Sequence, residues 1–203
     1  MKQLAAPAAG VLWLAATLAA SPPSVTSPPG PPTPAPANRY ADGAPPGFSG
    51  AFGEQSCNAC HFDAEVNTGP GRVAVDGVPD RFVAGMAYPL RVTLHRPDMA
   101  TSGFQLTARF KNGGAQAGAL AVGPDEDERV KIDAQADVQY ANQRRAGAAL
   151  TSADTETWTV LWSAPANGGA VQFHVAANAG NKDDTTSGDY VFTAVRESEP
   201  AGR

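Results

Sequence analysis

Cys57, Cys60 and His61 fall within the stretch Gly53-Glu-Gln-Ser-Cys-Asn-Ala-Cys-His-Phe62 of a 203-residue chain that holds two cysteines and three histidines in all. Cys-x-x-Cys-His is the spacing of covalent haem attachment. Two thiols three positions apart can add to the two vinyl groups on one edge of a porphyrin, and the next residue then offers an imidazole nitrogen to the iron. The expectation is one covalent haem c, with Cys57 and Cys60 as thioether attachments and His61 as proximal iron ligand. Two other chemistries stay open. An exported Cys-x-x-Cys can close into a Cys57–Cys60 disulfide, although redox-active pairs usually open a helix in a βαβ setting. Structural zinc wants four ligands, and these residues supply at most three.

The second axial ligand is less constrained. His95 and His174 are the other histidines, and Met86 and Met99 are the internal methionines. His95 and His174 both sit out of step with the apolar set of their strands, which predicts outward-facing side chains. Met99 lies in the polar stretch 96–102, read as flexible enough to reach over a ring. His174, His95 or Met99 is therefore the candidate distal ligand, with an open or water-bound position as the alternative. Bis-histidine ligation would favour a lower potential than histidine–methionine.

The elements that must position these groups are strands. Arg72-Val-Ala-Val75 and Tyr88 to Leu94 alternate in apolar character, with Tyr88, Leu90, Val92 and Leu94 on one face. Gly103 to Phe110 places Phe104, Leu106, Ala108 and Phe110 inward and Gln105, Thr107 and Arg109 outward, and Lys111-Asn-Gly-Gly114 supplies a turn. The stretches 158–162, 170–176 and 189–195 repeat the pattern, and 189–195 reads as the last strand. No long amphipathic helix intervenes, so the expected fold is all-β, an antiparallel immunoglobulin-like sandwich preceded by a haem-binding N-terminal arm. The acidic run 125–128 reads as a solvated loop rather than a calcium site, since no EF-hand spacing accompanies it. The Asn/Asp-rich stretch 178–189 carries oxygen ligands but also has the composition of a long hairpin turn.

Residues 1–20 combine Lys2 with an apolar Ala/Leu stretch and small residues at Thr17-Leu-Ala19, the pattern of a cleaved secretory signal. No membrane span is expected after cleavage, an uncleaved anchor being the alternative. Residues 21–41 form a proline-rich tether that favours extended polyproline II. An arm (42–71), the sandwich (72–196) and a short tail (197–203) come next. The formal charge is −5 without a lysine or arginine cluster, so nucleic-acid binding lacks its electrostatic footprint. No Ser/His/Asp constellation stands out, so a carrier or binding module is expected rather than an enzyme.

Several blocks in order resemble the bacterial reelin-type (Reeler-like) domain family often labelled choice-of-anchor V. They are Gly43-Ala-Pro-Pro-Gly-Phe-Ser-Gly-Ala-Phe-Gly-Glu54 followed by Cys-Asn-Ala-Cys-His, and Gly77-Val-Pro79 with Phe82, Gly85 and Tyr88-Pro-Leu90. Gly103 to Ala108, Gln116 to Leu120, Trp158 to Pro165, Val171 to Asn178 and Ser187 to Tyr190 complete the match, which covers roughly residues 42–192. The resemblance implies an exported β-sandwich, in many members preceded by Cys-x-x-Cys-His. Members often carry a C-terminal anchoring segment, which is not expected after Arg203. Many also carry a histidine soon after an aromatic, where this chain reads Tyr140-Ala-Asn-Gln143; an iron ligand supplied there would need a substitute here.

The functional expectation is a periplasmic, secreted or cell-surface single-haem protein that exchanges electrons with a redox partner protein. The alternatives are an adhesion or binding module with Cys57 and Cys60 oxidised, and a haem enzyme or ligand sensor with an open sixth position.

Overall fold

The computed structural model describes residues 40–202; the expected signal (1–20) and nearly all of the expected tether lie outside the described residues. Among the described residues ten strands succeed one another: β1 (Arg72–Asp76), β2 (Arg81–Phe82), β3 (Ala87–His95), β4 (Thr101–Phe110), β5 (Ala119–Val122), β6 (Val130–Gln135), β7 (Val138–Gln143), β8 (Thr155–Ser163), β9 (Val171–Gly180) and β10 (Tyr190–Pro200). They form a four-stranded sheet in the order β1-β3-β8-β5 and a six-stranded sheet in the order β2-β10-β9-β4-β7-β6. Every pairing between these strands is antiparallel except β2 with β10, which is parallel. The chain is an immunoglobulin-like β-sandwich, as the alternating segments predict. Among the described residues no helix is long and apolar enough to cross a membrane.

The core lies between the sheets. Strand β8 sends Trp158, Val160 and Trp162 inward from the four-stranded sheet, beside Leu90, Val92 and Leu94 of β3. From the other sheet come Phe104, Leu106 and Ala108, in register with Ala177, Val175 and Phe173. Trp158 stacks on Phe104 with ring centroids 4.5 Å apart, and Trp162 meets Phe173 edge-on at 4.7 Å. Both indoles find an acceptor for their N–H, Gly147 O and Ala117 O, each at 2.8 Å. A buried tryptophan needs such a partner, because an unpaired N–H in an apolar core is costly.

Three sequence expectations are modified by packing. Gln105 and Thr107 do leave the core side of β4, yet both are fully buried. The arm, residues 42–71, lies across that outer face: Phe48 N donates to Gln105 Oε1 at 2.6 Å, and Gln105 Nε2 donates to Pro45 O at 2.8 Å. The acidic run is not all solvated, because Glu126 turns in to accept Thr159 N at 3.0 Å and Arg129 Nη1 at 2.9 Å. Burial pushes its carboxyl upward, against the pull of Arg129. The expected tail begins as strand: β10 continues to Pro200 because Glu199 and Pro200 pair with Arg81 and Phe82, and Ser198 is buried.

A clamp fastens the arm to the sheet. Glu54 Oε1 accepts from Arg109 Nη1 and, at 2.5 Å, from the Tyr140 hydroxyl, while Glu54 Oε2 accepts from Ser49 Oγ at 2.9 Å. Arg109 Nε donates to Gly114 O, and its guanidinium lies 4.9 Å from the centroid of the Phe52 ring. Burial first, and the bond to Glu54 second, raise the Tyr140 phenol, so it remains a donor.

Candidate functional site

The arm carries the Cys-x-x-Cys-His stretch as a single 3-10 turn, Cys57–Ala59. Ser56 starts it, its Oγ accepting from Asn58 N at 3.3 Å. The turn closes when Cys60 N and His61 N both donate to Cys57 O, at 3.2 and 3.0 Å. Asn58 fixes the exit from the turn, its side-chain amide donating to His61 O at 3.3 Å and to Ala64 O at 3.0 Å. The variable positions of the motif are therefore not passive: Asn58 sets the backbone path by which His61 leaves the turn.

Cys57, Cys60 and His61 line one cavity of about 420 Å³, walled by Tyr40, by the arm at Pro45 and Phe48, and by the outer face of the six-stranded sheet at Gly103, Gln105 and Asn178. Both cysteines are free thiols, so the structure does not contain the Cys57–Cys60 disulfide of the alternative expectation. Burial, with a smaller push from Cys60, drives the Cys57 thiol up to about 12, which keeps it protonated. Among the described residues, no three His, Cys, Asp or Glu side chains converge where a metal ion could be held, so a zinc site built directly on Cys57, Cys60 and His61 has no structural support.

His61 is fixed from the loop that leads into β10. Its Nδ1 lies 2.6 Å from Asp189 Oδ2, across 128 residues of sequence. Asp189 is almost wholly buried. It also accepts from Asn178 Nδ2 and from Asn181 N, each at 3.1 Å. A carboxylate surrounded by donors acts as acceptor, so the ring nitrogen that faces it, Nδ1, carries the N–H of this bond. A second bridge, Gly188 N to Asp63 Oδ2 at 2.9 Å, ties the same loop to the arm just beyond His61.

These features fit a covalently held haem. The thiols are reduced, as thioether formation requires, and His61 has the second-sphere carboxylate that metal-bound histidines commonly use. Asn178 Oδ1 on the cavity wall is a buried acceptor with no partner among the described residues. Gln143, at the end of the run where the resembled family often shows a histidine, also lines the cavity, its Oε1 accepting from Phe104 N at 2.9 Å. Gly103 makes room for it, since a Cβ there would stand 3.0 Å from Gln143 Nε2.

The expected distal candidates are placed elsewhere. None of His95, His174 and Met99 is among the residues lining the cavity. His95 ends β3 with its Nδ1 3.1 Å from Thr155 Oγ1. His174 lies against Phe52, with ring centroids 5.3 Å apart, and its Nε2 lies 3.2 Å from Gln172 Oε1. Met99 is packed into the sandwich core at 4% exposure rather than on a flexible loop. Met99 N donates to Arg96 O at 3.4 Å, and the turn so formed points the side chain inward.

Sequence reasoning missed Asp189, Asn178 and Asn58. The one signal for the first two was the oxygen-rich stretch 178–189, and nothing in it pointed to a partner in the arm.

No protein-family model matches the chain. No curated protein matches it either. Among solved structures it is similar to a human F-spondin reeler domain fragment, at 17% identity over 68% of this chain and 93% of that one with a TM-score of 0.45. The Reelin-N domain of F-spondin matches at 16% identity over 71% of this chain and 97% of that one, TM-score 0.47. A cohesin module from a Clostridium perfringens family 33 glycoside hydrolase matches at 12% identity over 67% of this chain and all of that one (100%), TM-score 0.47. The sandwich assignment rests on the chain's own sheets.

Proposed function

We propose that this chain is an exported c-type haem protein, one haem being attached in the cavity beneath the arm of a Reeler-like sandwich, and that it carries electrons in the periplasm or at the cell surface. The observation that carries this reading is the convergence of two free thiols and a carboxylate-bound histidine on one cavity. Cys57 and Cys60 would hold the group as thioethers, each thiol adding across a vinyl group with sulfur on one carbon and its proton on the other, so that no external oxidant would be consumed. His61 would hold the iron through Nε2, its Nδ1 being engaged by Asp189. When bound, the haem supplies a centre that gains and loses one electron. The chain's own part is to hold that centre under a clamped arm, with Tyr40, Pro45 and Phe48 on one wall and Gln105 on the other. A low barrier to electron exchange requires little reorganisation, and the hydrogen bonds fixing Asn58 and His61 limit it.

Expression with haem-maturation machinery tests the reading. The expected product keeps its colour after denaturation and acid–acetone extraction and gives the α band of a c-type pyridine haemochrome. Cys57→Ala together with Cys60→Ala should release the haem to the extract. A colourless wild-type product refutes the proposal and leaves a binding module without haem as the better reading.

A further inference from the structure

The residue that selects the state of His61 lies on the other side of the site. We propose that Asp189 is the positioning residue of the iron centre: its carboxylate locks His61 with the proton on Nδ1 and makes the ring a stronger electron donor, biasing the iron toward its ferric form. This rests on the haem reading above.

Asp189 is only 3% exposed, and its bond to His61 Nδ1 at 2.6 Å is the shortest of its three. A charged acceptor withdrawn from water forms short, strong hydrogen bonds. Partial transfer of the Nδ1 proton toward Asp189 would raise electron density on Nε2, and a more basic histidine would stabilise the higher oxidation state of an iron it held. The carboxylate cannot swing away, because Asn178 Nδ2 holds the same oxygen that His61 uses and Asn181 N holds the other. Asp189 also stands just before β10, whose ladder with β9 starts at Tyr190 and Ala179. The position of the carboxylate is thus set by the sheet, and that of His61 by the arm.

Asp189→Asn keeps the size of the side chain and removes the charge. In the haem-loaded protein, covalent attachment should survive. The ferric–ferrous equilibrium, titrated with dithionite and ferricyanide in the presence of mediators, should move about tenfold toward the ferrous form, about 59 mV upward for a one-electron couple. The iron–histidine stretch in the Raman spectrum of the ferrous protein should fall in frequency. Asp183→Asn, in the same loop but bonded only to Asn181 and Thr185, should leave both readouts unchanged. The haem-free wild type supplies a test that does not depend on the variant folding. Nitrogen-15 correlation spectra should show His61 protonated on Nδ1, whereas a free imidazole prefers Nε2. An unchanged potential in Asp189→Asn with haem attached, or His61 protonated on Nε2 in the wild type, overturns the proposal. Absence of covalent haem from the wild type refutes the underlying reading instead, and the tautomer measurement still decides whether Asp189 sets the state of His61.

Discussion

Glu54→Ala removes the centre of the clamp that holds the arm on the sheet. The carboxylate takes three hydrogen bonds, from Arg109, Tyr140 and Ser49. The side chains of Arg109 and Glu54 are only 14% and 18% exposed. After truncation Arg109 keeps Gly114 O and its contact with Phe52 but loses its counter-charge. A hydrogen bond to a charged group contributes about 1.5–3 kcal/mol, and breaking a fully buried ion pair costs about 3–5 kcal/mol. The three bonds share one acceptor and are not additive, and the residual exposure lets some water in. The expected loss is therefore about 2–4 kcal/mol. At about 2–4 °C per kcal/mol for a domain of this size, the unfolding midpoint should fall by roughly 10 °C. Urea unfolding at pH 7 followed by tryptophan fluorescence measures the loss in free energy and a thermal melt the shift in midpoint, and Glu54→Gln should lose roughly half as much. A double-mutant cycle with Arg109→Met isolates the pair. A loss below about 0.5 kcal/mol, the range of ordinary surface substitutions, would refute the view that the arm is clamped rather than resting on the sheet.

Other perturbations have outcomes fixed by the same physics. Glu156 is fully buried and accepts from Arg129 Nη2 and, at 2.5 Å, from Thr151 N, so Glu156→Ala should cost about 3–5 kcal/mol in urea unfolding. Trp162→Phe leaves Ala117 O without its donor and opens space beside Phe82 and Phe173; a loss of about 2–4 kcal/mol is expected from the same measurement. Burial first, and Arg109 second, lower the affinity of His174 for a proton. Its folded value thus lies below the ordinary value of about 6.5, so the unfolded chain binds the proton more readily and stability falls as pH drops through that region. The urea midpoint should drop less between pH 7 and pH 5 in His174→Asn than in the wild type, and equal drops would contradict this. Gly103→Ala pushes a methyl toward Gln143 Nε2 at 3.0 Å and should strain its bond to Phe104 N, costing about 1–3 kcal/mol in the same unfolding assay.

Strand-forming segments are legible because side chains alternate across a sheet with a period of two. The residues 88–94, 103–110 and 158–162 show it, and the structure puts Leu90, Leu106 and Trp158 in the core as that period requires. Short strands escape the rule. β5, β6 and β7 are too brief or too polar for alternation to stand out, and the polar side chains of β7 bond to neighbouring strands: Gln139 accepts from Leu120 N of β5, Asn142 donates to Asp133 of β6, and Gln143 accepts from Phe104 N of β4. Periodicity also distinguishes two faces without saying whether the second is wet, so Gln105 and Thr107 read as solvent-facing although the arm covers them. Met99 departs from expectation for a related reason: a polar stretch reads as mobile, whereas one turn is enough to aim a side chain inward.

The Cys57-x-x-Cys60-His61 spacing is a local fact. Three side chains within one turn share a common neighbourhood in almost any fold, so the chemistry open to them is legible in the spacing alone. The group that completes that chemistry is not local. Asp189 meets His61 only because the arm is laid across the outer face of β4 and β9 and because the β9–β10 hairpin ends there. A contact spanning 128 residues leaves no periodic trace in either segment, since each end also satisfies an ordinary local reading, one as a turn and the other as a strand start. Sequence by itself determined the reactive group and the sandwich that carries it. Tertiary structure alone decided which loop would meet the histidine, and which of its two nitrogens would face the carboxylate.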